Sequence, residues 1–115
     1  MQKISSRSYN VKSIAVFERQ AKRLSKKHAS LKSDLARLIA ELKENPVQGT
    51  PIGNRCYKIR LAISSKGKGK SGGARVIANI VISEENVYLL SIYDKSEKEN
   101  LTDLELQELL KNIPR

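Results

Sequence analysis

The residues best suited to chemistry are cations concentrated in one stretch of the chain. Residues 55–75 contain seven lysines and arginines and no acid. Lysine and arginine bind phosphate groups through their charge and their N–H donors, and so long a stretch without a compensating acid is not typical of a merely solvated face. The stretch therefore predicts a surface for a polyanion. Its cations are Arg55, Lys58, Arg60, Lys66, Lys68, Lys70 and Arg75.

Three of these lysines alternate with glycines in the segment 66–73. Side chains between glycines have few neighbours, so we expect these lysines to move freely toward a phosphate backbone. Gly72 and Gly73 permit a sharp turn or a bulge before Arg75 enters a strand. The alternative is a flexible, solvated hairpin loop without a ligand.

The same loop contains Gly69-Lys70-Ser71, which matches the end of a nucleotide-binding P-loop. That motif also requires a glycine five positions before Gly69, where this chain has Ser64. It further requires a helix directly after the loop, because the helix N-terminus holds the phosphates. The residues after Arg75 have the pattern of a strand, so we exclude a P-loop.

A second set of candidates follows the last predicted strand. Tyr93 could stack on a splayed base or hydrogen-bond a phosphate, or it could pack the end of a sheet. Lys95 and Lys98 could border the basic surface, or they could pair with Glu97 and Glu99, with which they alternate.

Other kinds of site are not indicated. The single cysteine, Cys56, has no disulfide partner, and the single histidine, His28, lies in another segment. We interpret Cys56 as a buried strand residue and expect His28 to lie exposed between two helices. One His, one Cys and scattered acids give no metal-ligand spacing, so we expect no metal and no other cofactor.

The composition indicates a single domain over residues 1–115. A chain of this length with 39% apolar residues can bury a core. Its net charge of +10 implies a polyanionic partner, of which nucleic acid is the default. We expect no signal peptide, since residues 1–10 lack an apolar stretch, and no membrane span. These features predict a cytoplasmic protein.

The apolar pattern predicts the elements that position these side chains. Spacings of three and four predict a helix from Ile14 and a second from Leu31 to Leu42, capped by Ser30, which together form a hairpin. Apolar–polar alternation predicts strands, and Gly49–Asn54 is predicted to be a loop. The predicted strands are Tyr9–Ile14, Cys56–Ser64, Ala74–Ile82 and Val87–Tyr93.

A last helix is predicted from Thr102, which forms a capping box with Glu105. The order of elements is then β-α-α-β-β-β-α. We expect an α+β fold, with an antiparallel sheet packed on one face against the helical hairpin and the C-terminal helix.

Several of these segments resemble toxins of the RelE/ParE superfamily, over nearly the whole chain. The lysine–glycine loop and the strand that ends at Lys95 are similar to the HigB-like branch in particular. The segments that carry the resemblance are Phe17–Leu24, Leu42–Pro46 with Gly49, Tyr57–Leu61, Lys66–Arg75 and Leu89–Lys95.

The resemblance implies a type II toxin–antitoxin toxin that cleaves mRNA in the ribosomal A site and is silenced by a cognate antitoxin. In such metal-independent endoribonucleases (mRNA interferases), the ribose 2′-OH attacks the adjacent phosphate, and cations stabilise the charge that develops. By position, Arg75 would hold the scissile phosphate, with Tyr93 and Lys95 as the other candidate catalytic residues. The residues expected to grip mRNA and ribosomal RNA are Lys58, Arg60, Lys66, Lys68, Lys70 and Lys98.

The chain departs from RelE at one position. RelE has a tyrosine on the approach to its last helix as an acid–base group, whereas Glu99–Thr102 contains none. Tyr93 or Lys95 could substitute, but a lysine is a poor base at neutral pH. The proton-transfer role is therefore unassigned.

Two other functions fit the same pattern. A ParE-like inhibitor of DNA gyrase needs a protein-binding surface, which gains little from seven uncompensated cations. A degenerate member, or a plain nucleic-acid-binding module, would bind RNA or DNA in a salt-sensitive manner without cleaving it. In each case the expected partner is an antitoxin that forms a hetero-oligomer through acidic and apolar residues.

Overall fold

The computed structural model describes residues 8–114, which form five strands and three helices. Residues 1–7, where we expect no signal peptide, and Arg115 lie outside the described residues. The predicted helices and the four predicted strands are confirmed, and the fold is α+β. In chain order the elements are β1 (Asn10–Ser13), α1 (Ala15–Lys27), α2 (Leu31–Glu44), β2 (Thr50–Gly53), β3 (Cys56–Leu61), β4 (Ala74–Val81), β5 (Asn86–Asp94) and α3 (Asp103–Leu110).

The strands form one mixed sheet in the order β1-β5-β4-β3-β2. The pairings between β5, β4, β3 and β2 are antiparallel, but β1 runs parallel to β5, with Asn10 opposite Asn86. The expectation of a purely antiparallel sheet is therefore wrong at one edge. β1 and β5 are far apart in sequence, so the path of the chain decides the direction of their pairing.

The segment predicted as a loop, Gly49–Asn54, contains the edge strand β2, so that prediction is wrong. Pro51 lacks an N–H donor, which an edge strand tolerates because its outer side has no partner strand. The β2–β3 hairpin closes through Asn54 and Arg55, whose φ angles of 55° and 60° are those of a tight type I′ turn.

Helices cover both faces of the sheet, not one face as predicted. Ile59 and Leu61 lie on the face next to α2, whereas Lys58 and Ile77 lie on the other face, next to the start of α3. All residues of β4 from Ala74 to Ile80 are buried, because this central strand is covered from both sides. The cations of β3 therefore share a face with α3.

The helix ends agree with the sequence at α3 but not at α2. Thr102 and Glu105 form the predicted capping box: the Glu105 N–H donates to Thr102 Oγ1 (3.1 Å), and the Thr102 N–H donates to Glu105 Oε1 (2.8 Å). Ser30 precedes α2 as predicted. Its hydroxyl, however, donates to the Asp34 carboxylate (2.7 Å) and makes no hydrogen bond to a helix N–H.

α1 completes the edge of β5 beyond the end of β1. The side-chain oxygen of Gln20 accepts hydrogen bonds from the Ile92 N–H (2.9 Å) and from the Ser91 hydroxyl (3.1 Å). Gln20 thus accepts a hydrogen bond from a backbone N–H of β5 that β1 is too short to reach.

Gln20→Ala is expected to lower the free energy of unfolding by about 2 kcal/mol, because the buried Ile92 N–H is left without an acceptor. Urea unfolding measures the change. The matched control is Gln107→Ala on the exposed side of α3, which is expected to change stability by less than about 0.5 kcal/mol. Equal effects of the two substitutions would contradict this role of Gln20.

Candidate functional site

The register of the sheet places three of the predicted site residues in one row. Arg60 of β3 pairs with Arg75 of β4, and Arg75 pairs with Tyr93 of β5. Lys58 lies two residues from Arg60 and therefore on the same face of β3. Side chains that are far apart in sequence are brought together here at one end of the sheet.

A depression of about 290 Å³ lies beside this row. Four of its seven lining residues are cations and one is an acid, so its charge is strongly positive. All four cations are among the nine candidate site residues of the sequence: three lie on β3 and β4, and the fourth, Lys95, lies in the turn after β5. The lining residues are Thr50, Lys58, Arg60, Arg75, Lys95, Glu99 and Asn100.

Apart from Arg75, the cations of the depression are largely without protein partners. The Lys58 ammonium donates to Asn100 Oδ1 at 3.3 Å. The side chains of Arg60 and Lys95 make no hydrogen bond or ion pair with any residue from 8 to 114. These donors are free to bind an anion.

Arg75 has a different environment, since only 5% of its surface is exposed. Its Nη1 donates to the carbonyl oxygens of Lys70 (3.0 Å) and Ala74 (3.1 Å), and its Nη2 is 3.5 Å from the Ser71 oxygen. A guanidinium has five N–H donors, so Arg75 can close the basic loop, residues 64–73, and still present N–H groups to the depression that it lines.

Gly73 ends the basic loop where the backbone passes closest to β3. A Cβ at this position would lie 2.1 Å from the Leu61 carbonyl oxygen, so no larger residue fits without moving the backbone. The Gly73 carbonyl also accepts the Lys95 N–H at 3.0 Å. The predicted turn therefore fixes both the start of β4 and the position of Lys95.

Two buried carboxylates bind the other end of the basic loop. Asp34 accepts hydrogen bonds from the Ser64 N–H (2.9 Å) and hydroxyl (2.7 Å), and Asp94 accepts one from the Lys66 ammonium (3.0 Å). Burial by itself raises the pKa of each carboxyl group, but the hydrogen bonds outweigh it and lower both pKa values. Both groups are therefore ionised at neutral pH.

The partners of Asp94 correct two expectations. Lys66 does not move freely, because its side chain is 14% exposed and its ammonium is paired with Asp94. His28 does not lie exposed, because its Nε2 lies 3.0 Å from the second oxygen of Asp94. Lys68 and Lys70 are exposed, as expected. Lys70 lines a neighbouring depression that includes Lys58 and Arg60.

Tyr93 and Lys98 lie outside the cationic depression. Tyr93 is buried, its hydroxyl has no hydrogen-bond partner between residues 8 and 114, and burial raises its pKa. Both residues line a mostly apolar groove of about 430 Å³ together with Leu101 and Leu109. The Lys98 ammonium pairs with Glu105 at 2.7 Å.

Three residues of the depression were not predicted: Thr50, Glu99 and Asn100. The sequence pattern predicts a loop at Thr50, and it indicates Glu99 only as a partner for lysines. The sequence gives one signal for them. Thr50 lies opposite Lys58 when β2 pairs with β3, and Glu99 and Asn100 follow Lys95 closely along the chain.

Other sites receive no support from the side chains described. Cys56 is buried in β3, as interpreted, and burial raises the pKa of its thiol. Among residues 8–114 no group of three or more His, Cys, Asp or Glu side chains is placed to hold a metal ion. No helix in this part of the chain has both the length and the apolar character needed to cross a membrane.

Comparison with known proteins extends these observations. A family model described as the RelE toxin of the RelE/RelB toxin–antitoxin system matches residues 14–113. A mutant of the Escherichia coli toxin RelE in the free state is similar, with 19% identity, a TM-score of 0.58, and coverage of 93% of this chain and 99% of that one.

Two toxin–antitoxin complexes have the same fold. The intact E. coli RelBE complex gives 17% identity, a TM-score of 0.58, and coverage of 76% of this chain and 96% of that one. The RelBE2 complex of Mycobacterium tuberculosis gives 15% identity, a TM-score of 0.56, and coverage of 76% and 98%. At these identities the likeness establishes the fold.

Proposed function

The chain belongs to the RelE family, the toxins of RelE/RelB toxin–antitoxin systems, and from this premise we propose that it inhibits translation by cleaving mRNA on the ribosome without a metal ion. The observation that carries the proposal is the depression in which Lys58, Arg60, Arg75 and Lys95 converge. Preorganised cations stabilise the negative charge that develops on phosphorus oxygens in the transition state.

The cations differ in their proposed roles. Arg75 binds the non-bridging oxygens of the scissile phosphate, because its hydrogen bonds to backbone carbonyl oxygens hold the guanidinium in place beside the depression. Lys95 lies at the same depression and supplies a proton to the leaving 5′-oxygen. Arg60 and Lys58 bind the flanking phosphates, because they are on the adjacent strand and more exposed.

Further lysines extend the RNA-binding surface. Lys68 and Lys70 are exposed in the basic loop and reach neighbouring phosphates of mRNA or ribosomal RNA. Lys66 and Lys98 are already paired with Asp94 and Glu105, so they contribute less. Tyr93 acts by packing behind Arg75, whose charge lowers the Tyr93 pKa against the larger effect of burial.

The proposed protein partner is a cognate antitoxin in the cytoplasm. α3 leaves Leu104 80% exposed, next to the apolar groove that contains Leu101 and Leu109. An antitoxin segment with apolar residues for this groove and acids for the basic surface would form a hetero-oligomer, by covering α3 or by displacing it. Two of the similar solved structures are toxin–antitoxin complexes.

Inducible expression in a bacterium, with mRNA 5′-ends mapped minutes after induction, tests the proposed function. We expect growth arrest and new 5′-ends within translated frames. Arg60→Ala is expected to reduce these ends by about 10-fold or more, since one flanking phosphate contact is lost. Lys26→Ala, which removes an exposed lysine of α1, is the matched control and is expected to behave as wild type.

Other results of the same experiment would contradict the proposal. Growth arrest with DNA damage and no new 5′-ends indicates inhibition of gyrase. The absence of both arrest and new ends indicates a degenerate or purely binding protein.

A further inference from the structure

Glu99 is the only acid among the residues that line the cationic depression, where it lies with Lys58, Arg60, Arg75 and Lys95. Its side chain is exposed. A carboxylate reduces the affinity of such a depression for phosphate, so its presence is not explained by RNA binding. The Glu99 carboxylate therefore either takes part in a reaction or has no role in the depression.

Glu99 also differs from other acids that lie near cations in the described chain. Asp34 pairs with Arg37 (2.7 Å), Asp94 with Lys66 (3.0 Å) and Glu105 with Lys98 (2.7 Å). Glu99 shares its depression with four cations, yet within residues 8–114 it makes no hydrogen bond or ion pair. Its oxygens are therefore available to accept a proton from a bound ligand.

The backbone that carries Glu99 is fixed on both sides. Before it, Asp94 Oδ1 accepts from the Ser96 N–H (2.9 Å), and the Asp94 carbonyl accepts from the Lys98 N–H (3.1 Å). After it, the capping box begins at Thr102, and Leu101 packs against the core. A short segment fixed at both ends places the backbone of Glu99 beside the depression, within reach of a bound substrate, as acid–base catalysis requires.

We propose that Glu99 is the general base of the RNA cleavage reaction, an inference that rests on the proposed function. The Glu99 carboxylate accepts the proton of the ribose 2′-OH while the 2′-oxygen forms a bond to the adjacent phosphorus. The bond from phosphorus to the 5′-oxygen breaks, and the 5′-oxygen takes a proton from the Lys95 ammonium. The products are a 2′,3′-cyclic phosphate and a 5′-hydroxyl end, without consumption of water.

The charges of the depression suit this division of roles. Two arginines and two lysines outnumber the single carboxylate, so positive charge remains to stabilise the phosphorus oxygens. Glu99 thus provides a general base, a role that the arginines, the lysines and the buried Tyr93 do not fill.

Single-turnover cleavage of mRNA on programmed ribosomes by the purified full chain tests the proposal. Glu99→Gln, which keeps the shape and removes the base, is expected to lower the cleavage rate constant by about 10²–10⁴-fold. Its binding to the ribosome is expected to be unchanged or tighter, because a negative charge is lost from a phosphate-binding surface. Glu99→Asp is expected to retain part of the rate.

The control Glu44→Gln removes the same charge from an exposed glutamate of α2 and is expected to cleave at the wild-type rate. A Glu99→Gln rate within about 3-fold of wild type, well below the loss expected for a general base, overturns the proposal. If Arg75→Ala abolishes cleavage at the same time, only the role of Glu99 has failed. A wild-type protein that cleaves no mRNA overturns the proposed function and this inference together.

Discussion

Arg75→Ala is expected to lower the rate constant of mRNA cleavage on programmed ribosomes by about 10²–10³-fold, the loss typical of removing one preorganised donor from a transition state. The guanidinium lines the depression and also donates to the carbonyl oxygens of Lys70 and Ala74. The substitution therefore removes a charge from the phosphate site and releases the end of the basic loop. Single-turnover kinetics on purified protein measure the effect.

Two further variants separate the charge of Arg75 from its structural contacts. Arg75→Lys keeps the charge, but a single ammonium cannot reproduce the planar set of donors, so we expect an intermediate rate. Arg19→Ala removes an exposed arginine of α1 and is expected to have no effect. A folded Arg75→Ala protein with wild-type cleavage would exclude Arg75 from the reaction.

Asp94→Ala is expected to lower the free energy of unfolding by about 3 kcal/mol or more, because it leaves the largely covered Lys66 ammonium without its partner. Asp94 also accepts hydrogen bonds from Ser96 and contacts His28, so the basic loop, α1 and the turn after β5 lose a common contact. Urea unfolding at neutral pH measures the change. A loss of less than about 1 kcal/mol would show that this cluster contributes little.

The pKa of Asp94 also predicts how stability depends on pH. Hydrogen bonds from Ser96, Lys66 and His28 lower this pKa in the folded state, despite the opposing effect of burial. As the pH falls, the Asp94 carboxyl group is therefore protonated at a higher pH in the unfolded chain than in the folded chain. The stabilisation present at neutral pH is lost as the pH falls below about 5.

Asp94→Asn is expected to make the acid loss of stability less steep than in the wild type. Some dependence on pH remains, because the pKa of Asp34 is also lowered and that of Glu97 is lowered to about 2 by Arg23 and Lys27. The measurement is the unfolding free energy between pH 2 and 7. Parallel profiles for the variant and the wild type would contradict the role of Asp94.

Features that depend on neighbours along the chain follow from the local sequence pattern. Alternation places Lys58 and Arg60 on one face of a strand, and the spacing of Thr102 and Glu105 specifies a capping box. Both features are present in the structure. The positively charged stretch between residues 55 and 75 likewise contains three of the four cations that line the depression.

Which of these residues lie together depends on the packing of the folded chain. Three contacts join segments that are distant in sequence: β1 pairs parallel with β5, α3 packs on the second face of the sheet, and Lys66 forms an ion pair with Asp94. Glu99 enters the cationic depression for the same reason. Local patterns report backbone periodicity and charge, whereas these contacts depend on how separated segments pack, and no short window of sequence contains that information.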